Sequence, residues 1–333
     1  MDKKKLAQLT KGLTGARKRP MPEFIAPQLA TLVKEPPEGE EWLHELKFDG
    51  YRMLVHLTGG KAKFWSRNQK DWTEKFPNLV KAVKTFPATT AILDGEVVIV
   101  DKAGRSSFQR LQNSMGKSKE AAFVFQIFDL IYFDGLDLTR VPLLKRKLML
   151  EELLSSVGEE SPLRYSEHVE GSGRHFFEQA CAYKIEGIVS KLADSPYLST
   201  RNRYWLKAKC IKRQEFVIAG YVPSKHDFPG FGSLILGVYD KGELIYSGRV
   251  GTGFSIKQRL EIQKKLDRIS QPLMCFKVKP KDPGLRGAHW AKPQLVAEVE
   301  FAEWTDEGSV RHPSFQGLRE DKKAQGIVRE EPA

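Results

Sequence analysis

Lys47-Phe48-Asp49-Gly50-Tyr51-Arg52 sets an amine, a carboxylate, a turn-forming glycine and a guanidinium side by side. Trp42 to Leu46 before it reads as a strand ending at Lys47. After it, Tyr51, Met53, Val55 and Leu57 alternate onto one face of a second strand. The lysine therefore stands at a strand end facing a loop, where an uncharged amine could attack a phosphorus atom. The bare Lys-x-Asp-Gly pattern also suits an ordinary strand-loop-strand with a surface lysine. The choice between the two readings rests on the remainder of the chain.

Working outward, Thr58-Gly59-Gly60 turns the chain into a third strand, Lys61 to Ser66. Phe76, Leu79, Val80 and Val83 have helical spacing, as do Leu150, Leu153, Leu154 and Val157. Strands are predicted at Ala91 to Asp101, Ala122 to Phe133, Glu186 to Lys191 and Tyr204 to Lys209, which makes the first domain mixed α and β. From Glu215 the texture changes to short strands broken by glycine, at Phe216 to Val222, Ser233 to Tyr239, Glu243 to Val250 and Leu295 to Phe301, with a helix from Ser255 to Ile269. Four or five strands with one helix predict a small β-barrel of the OB-fold type. The expected organisation is a basic flexible arm over 1–20, a first domain over 21–212, the barrel over 213–325 and a tail over 326–333, with a hinge near Lys209 to Gln214.

The 333 residues carry 54 basic and 42 acidic side chains, a net charge of +12 and a pI near 9.4. Such a balance attracts polyanions, nucleic acid first among them. A membrane surface is disfavoured because no long basic amphipathic helix stands out. Neither a secretion signal nor a bilayer-length apolar run is evident. Cys181, Cys210 and Cys275 lie far apart in the chain, and the seven histidines form no ligand-spaced cluster with them. This pattern reads as a reduced cytosolic protein without structural zinc.

Phosphorus chemistry by an amine needs a neutral nucleophile, cations on the phosphate oxygens and a divalent ion to absorb charge. Lys47 is the candidate nucleophile, its pKa expected to be pushed down by a bound metal and by Lys207 and Lys209. Asp94-Gly95-Glu96 and Glu186-Gly187 put carboxylates at strand ends, where they could hold Mg2+ or a ribose hydroxyl. Each acid-glycine pair alone is also a common turn element. Trp205-Leu206-Lys207-Ala208-Lys209 alternates so that both lysines point to one side of a strand.

The ordered series Lys47-x-Asp-Gly-x-Arg52, Ser66-Arg67-Asn68, Asp94-Gly95-Glu96, Phe128-Asp129, Glu186-Gly187-Ile188-Val189-Ser190-Lys191 and Trp205 to Lys209 resembles the motif set of covalent nucleotidyltransferases. Within that superfamily it resembles ATP-dependent DNA ligases, with Arg311 to Lys322 similar to their last motif. Val250-Gly251-Thr252-Gly253-Phe254 and Val296 to Thr305 look like the ligase module of bacterial end-joining ligases. The chain has no room for the polymerase and phosphoesterase modules of the full multifunctional version, and His312 stands where related ligases often carry an aromatic residue. The resemblance implies an α+β architecture, an ATP-grasp-like adenylation domain followed by the OB-fold barrel.

For the site, the resemblance implies AMP attachment at Lys47, a hydrogen bond from the adenine amino group to Glu45, and Arg52 and Glu96 near the ribose. Phe128 and Val189 would cover the two faces of the base. Glu186, with Glu96, would hold Mg2+ or Mn2+, and Lys207 and Lys209 would contact the α-phosphate. Arg67 would approach the DNA phosphate, while Arg311, Asp321 and Lys322 would orient pyrophosphate. Implied partners are nicked or broken duplex DNA, a Ku-like end-binding protein and a separate polymerase, with the chain itself a monomer in the bacterial cytoplasm. An RNA ligase or mRNA-capping guanylyltransferase would share Lys47, Glu96, Glu186 and the paired lysines. In a different class, a noncatalytic nucleic-acid-binding protein would use only the charge and the barrel.

Overall fold

The computed structural model describes residues 10–101, 104–115, 122–158, 160–224 and 229–332, and the chain divides after Cys210 into two units. The first unit begins with β1 (Arg17–Lys18), β2 (Leu29–Leu32), β3 (Gly39–Leu46), β4 (Tyr51–Thr58), β5 (Lys61–Ser66), α1 (Pro77–Val83), β6 (Thr90–Val98) and α2 (Phe108–Ser114). It continues through β7 (Val124–Phe133), β8 (Leu136–Asp137), α3 (Leu143–Ser155), β9 (Leu163–Tyr165), β10 (Val169–Gly171), α4 (Gly173–Ala182), β11 (Gly187–Leu192) and β12 (Arg201–Lys209).

Two sheets organise it, one in the order β1-β8-β7-β6-β4-β5 with β9 on β7, the other β10-β3-β11-β12-β2. The alternation after Gly50 explains the first sheet. Tyr51, Met53, Val55 and Leu57 are buried against Phe64, Phe76, Phe125, Leu150 and Leu153, so α1 and α3 cover that face. The opposite face of the same sheet sends Leu54, Ile92 and Ile131 into a smaller cluster with Trp205 of the second sheet. The second sheet turns Ile188, Leu206 and Ala208 towards Phe176, Phe177 and Ala180 of α4. Its other face is left for polar chemistry.

Several expectations are corrected. Residues 10–19 are no flexible arm: Arg17 and Lys18 pair with Asp137 and Leu136, Arg19 N–H donates to Gly135 O at 3.0 Å, and Leu13 and Ala16 pack on the core. Backbone pairing is indifferent to side-chain charge, and charge was the feature that suggested mobility; residues 1–9 lie outside the described residues. The strand expected to reach Asp101 stops at Val98, because Asp101 starts a turn closed by Gly104 N–H on its carbonyl. Cys181 and Cys210 are not separate thiols but a disulfide. Although 29 residues apart in sequence, they meet because α4 folds back over the end of β12.

The second unit holds β13 (Arg213–Pro223), β14 (Phe231–Asp240), β15 (Glu243–Val250), α5 (Ile256–Asp267), β16 (Ser270–Gln271), β17 (His289–Glu300), β18 (Glu303–Trp304), β19 (Val310–Arg311) and β20 (Ser314–Leu318). Its main sheet runs β15-β14-β13-β17, with β16 and β20 on β17. A bridge between Thr252 and Ser314 brings the two edges together, with Phe315 N–H donating to Thr252 O at 3.0 Å. That closure makes the sheet a barrel, the architecture that an isolated edge strand otherwise lacks. Ser255 caps α5 through a reciprocal box with Gln258. The expected tail is again tied in: Ile327 is buried, its carbonyl accepts from Tyr239 N–H at 2.7 Å, and Glu330 N–H donates to Gln214 Oε1 at 3.0 Å.

Candidate active site

Register across three strands assembles the site. On β3, β11 and β12 the paired positions Leu43-Lys191-Trp205 and Glu45-Val189-Lys207 form successive rows. Gly187 pairs with Lys209, and its carbonyl accepts from Lys47 N–H at 2.9 Å. Residues directly opposite in an antiparallel pair share a face, and so do residues two apart along a strand. Glu45, Lys47, Val189, Lys191, Trp205, Lys207 and Lys209 therefore stand on one face of one sheet. This is the face opposite to α4. Lys207 and Lys209 are half-buried there.

Gly187 leaves no room for a side chain. Its φ is +155°, and a Cβ would lie 2.1 Å from Ala208 O. Gly187→Ala should therefore open the β11–β12 pair, lowering stability by about 1–3 kcal/mol. A thermal melt beside wild type checks this, and an unchanged Tm would refute it.

Lys47 Nζ donates to Glu186 Oε2 at 2.7 Å. Burial alone would lower the pKa of this ammonium, but Glu186, with Glu96 and Asp49 further off, outweighs burial and holds it above the ordinary lysine value. The expectation of a depressed Lys47 is thus reversed in the free protein. The nearest charge is an anion that the sequence places 139 positions away, not the two lysines. The amine is a stored ammonium until its partner is drawn off.

Arg52 and Glu96 face each other across β4 and β6, but the Arg52 guanidinium grips Asp94 with both arms, Nε to Oδ1 at 2.9 Å and Nη2 to Oδ2 at 2.6 Å. Tyr197 adds its hydroxyl to the same carboxylate at 2.6 Å. Arg52, the residue expected near the ribose, lies over the rings of Phe128 and Trp205, 5.0 and 5.3 Å from their centroids. Phe128 is edge-on to Trp205, with centroids 5.9 Å apart.

Glu45 is buried and held from three sides. Lys147 Nζ and Lys191 Nζ donate to Oε1 at 2.8 and 2.9 Å, and the Ser166 hydroxyl donates to Oε2 at 2.8 Å. Burial works against its charge, but the two ammoniums prevail and keep its pKa below the usual carboxylate value. Lys191 is depressed to about 8, chiefly by burial and also by Lys147. Lys147 and Ser166 were absent from the residues expected at the site. A signal for the first exists: Leu143, Lys147, Leu150 and Leu154 share one helical stripe, and a lysine at a core position of such a stripe needs a buried anion.

For a metal, the hard oxygens are those of Glu186, which touches Lys47, and of Glu96, whose charge Lys47 also feels. Among the described residues no group of three or more His, Cys, Asp or Glu side chains is placed to hold an ion by itself. That donor set suits Mg2+, which takes one or two carboxylates together with substrate phosphates rather than a dedicated cage. Arg67 follows β5, half-buried. In the second unit Arg311 pairs with Glu303 at 2.8 Å on the surface. Asp321 is buried and grips Arg319 through two bonds of 2.8 Å, while Lys322 pairs with Glu215 at 2.8 Å. Within this unit Asp321 and Lys322 thus serve a charge network around Arg319, which also donates to Glu298 at 2.7 Å.

A family model described as ATP dependent DNA ligase domain matches residues 25–209, and one described as ATP dependent DNA ligase C terminal region matches residues 228–322. The Multifunctional non-homologous end joining protein LigD of Pseudomonas aeruginosa is 41% identical over 323 residues, covering 95% of this chain and 38% of its own length. The Mycobacterium tuberculosis counterpart, a Multifunctional non-homologous end joining DNA repair protein LigD, is 34% identical over 92% of this chain and 40% of its own. This chain thus spans about two-fifths of the length of these two relatives. A solved structure of mycobacterial DNA ligase D complexed with ATP and MES is 34% identical, with a TM-score of 0.69 over 92% of this chain and 98% of that one. No helix among the described residues is long and apolar enough to cross a membrane.

Proposed function

Since the chain belongs to the ATP-dependent DNA ligase family, we propose that it joins 5′-phosphate to 3′-hydroxyl ends of DNA through AMP carried on Lys47. The observation that carries this reading is the pairing of Lys47 Nζ with Glu186 at 2.7 Å on the sheet face that also bears Glu45, Lys207 and Lys209. Once Lys47 has given its proton to water, Nζ attacks the α-phosphorus of ATP, forming a P–N bond as the P–O bond to pyrophosphate breaks. Lys207 and Lys209 stand on the same face to neutralise the α-phosphate oxygens. A divalent cation held by Glu186 and Glu96 would neutralise charge on the phosphates. AMP then passes to a DNA 5′-phosphate, and a 3′-hydroxyl displaces it, which joins the strands. Arg67 is the candidate DNA phosphate contact, and Arg311, Asp321 and Lys322 are the candidates for steering pyrophosphate.

The names of the relatives support a role in end joining; we propose nicked or broken duplex DNA as the substrate and a Ku-like protein and a polymerase as partners, in the bacterial cytoplasm. The test is the intact mass of the purified protein, under denaturing conditions, after ATP or GTP with Mg2+, followed by sealing of nicked DNA. Gain of one AMP from ATP, then sealing, is the expected result. Gain of GMP would turn the reading to capping chemistry. No gain, from protein shown to carry no AMP as isolated, would leave the noncatalytic binding reading.

A further inference from the structure

We propose that Lys147 and Ser166 are positioning residues that keep Glu45 an ionised, acceptor-only reader of the purine edge, and thereby set the preference for adenine over guanine. The inference rests on the reading of Lys47 as the site of nucleotide attachment and of Glu45, two residues before it, as the group that meets the adenine amino group. Its observations are the three donors on Glu45 at 2.8, 2.9 and 2.8 Å. A carboxylate has about four acceptor directions. Two on Oε1 and one on Oε2 are taken by donors among the described residues, and we assign the remaining direction on Oε2 to the ligand. Glu45 therefore meets a base with one acceptor and no donor. Adenine offers an amino group at that edge and is accepted; guanine offers a carbonyl oxygen and is repelled.

Lys147 is itself fixed, donating also to Ser166 O at 2.8 Å and standing 4.6 Å from the centroid of the Tyr165 ring. Ser166 is tied to β7 by its N–H on Ile127 O at 2.8 Å. The charge state of Glu45 is set by what surrounds it on every side. Lys147 from α3 and Lys191 from β11 act on it directly; Tyr165 and His168, at the end of β9 and just beyond it, feel its charge, and Glu151 of α3, Asp129 of β7 and Glu167 act on these neighbours. Lys147 and Lys191 are the cations among these that touch it. Removing Lys147 leaves one cation against complete burial, so the carboxyl takes up a proton as pH falls. A protonated Glu45 is a donor and can serve the guanine carbonyl.

The test is the rate of nucleotide attachment to the full chain from ATP and from GTP, read by intact mass at pH 7.5 and pH 6, for wild type, Lys147→Met, Ser166→Ala and Glu45→Gln. In wild type the ATP-to-GTP rate ratio should be the same at both pH values. In Lys147→Met it should fall at least tenfold between pH 7.5 and pH 6, and in Ser166→Ala it should fall in the same direction by less. Glu45→Gln, whose amide donates at any pH, should show a low ratio at both. A Lys147→Met ratio that holds its wild-type value while both rates drop together would assign Lys147 a merely structural role and overturn the proposal. Should Lys147→Met fail to fold, the pH dependence of Ser166→Ala decides by the same criterion. Wild type that takes up neither nucleotide would instead overturn the proposed function itself.

Discussion

Lys47→Arg should leave the protein folded and its uptake of AMP undetectable, a loss on the order of 10^4-fold or more, as for removal of other covalent nucleophiles. The variant isolates nucleophilicity because arginine can keep the ion pair with Glu186, which lysine makes at 2.7 Å, while a guanidinium does not give up its proton in the working pH range. Glu186→Gln is the informative companion. In wild type the carboxylates around Lys47 outweigh burial and raise its pKa, so the ammonium form persists to high pH. With the Glu186 charge gone, burial dominates and the amine titrates lower. Labelling of Lys47 by an amine-reactive reagent, followed by peptide mass, should then set in at lower pH in Glu186→Gln than in wild type, even as AMP uptake falls. An unmoved labelling profile would mean that Glu186 does not hold the proton. AMP uptake by Lys47→Arg would mean that another group is the nucleophile.

Which parts of this were legible in the sequence follows from which parts are local. The two-residue spacing of Lys207 and Lys209 on a strand fixes a shared face from sequence alone, and so does the alternation from Tyr51 to Leu57. The glycine-broken strands of the second unit announce a small β domain, but its closure at Thr252 and Ser314 depends on a bridge between distant segments. Charge states were the least legible. Lys47 looked like an amine among cations; the pairing of β11 with β3 brings Glu186 beside it instead. The same pairing puts Lys191 beside Glu45, and α3 adds Lys147 from a third direction. Register, which no single motif carries, decides what each carboxylate meets.

Arg146→Met should be the most destabilising of the substitutions considered, by roughly 3–5 kcal/mol, because it strands a buried anion. The Arg146 side chain is fully buried, and so is that of its partner Asp129. Nε and Nη2 donate to the two carboxylate oxygens at 2.7 and 2.8 Å, and Nη1 donates to the carbonyls of Val141 and Ser195. For a unit of this size the loss corresponds to a fall in Tm on the order of 10 °C. The double change Asp129→Leu with Arg146→Met removes both charges and should recover a good part of it, since well-packed apolar replacements of a buried pair are often near neutral. Equal melting of the single and double variants would show that the carbonyls of Val141 and Ser195, not the stranded carboxylate, carry the cost. The position matters for the site as well as for the fold. Asp129 follows Phe128, and Arg146 precedes Lys147, so this pair fixes β7 against α3 where the Phe128 ring and the Lys147 partner of Glu45 are both presented. At a temperature where both variants stay folded, the double variant should still take up AMP, whereas the single variant should take it up more slowly as β7 and α3 part.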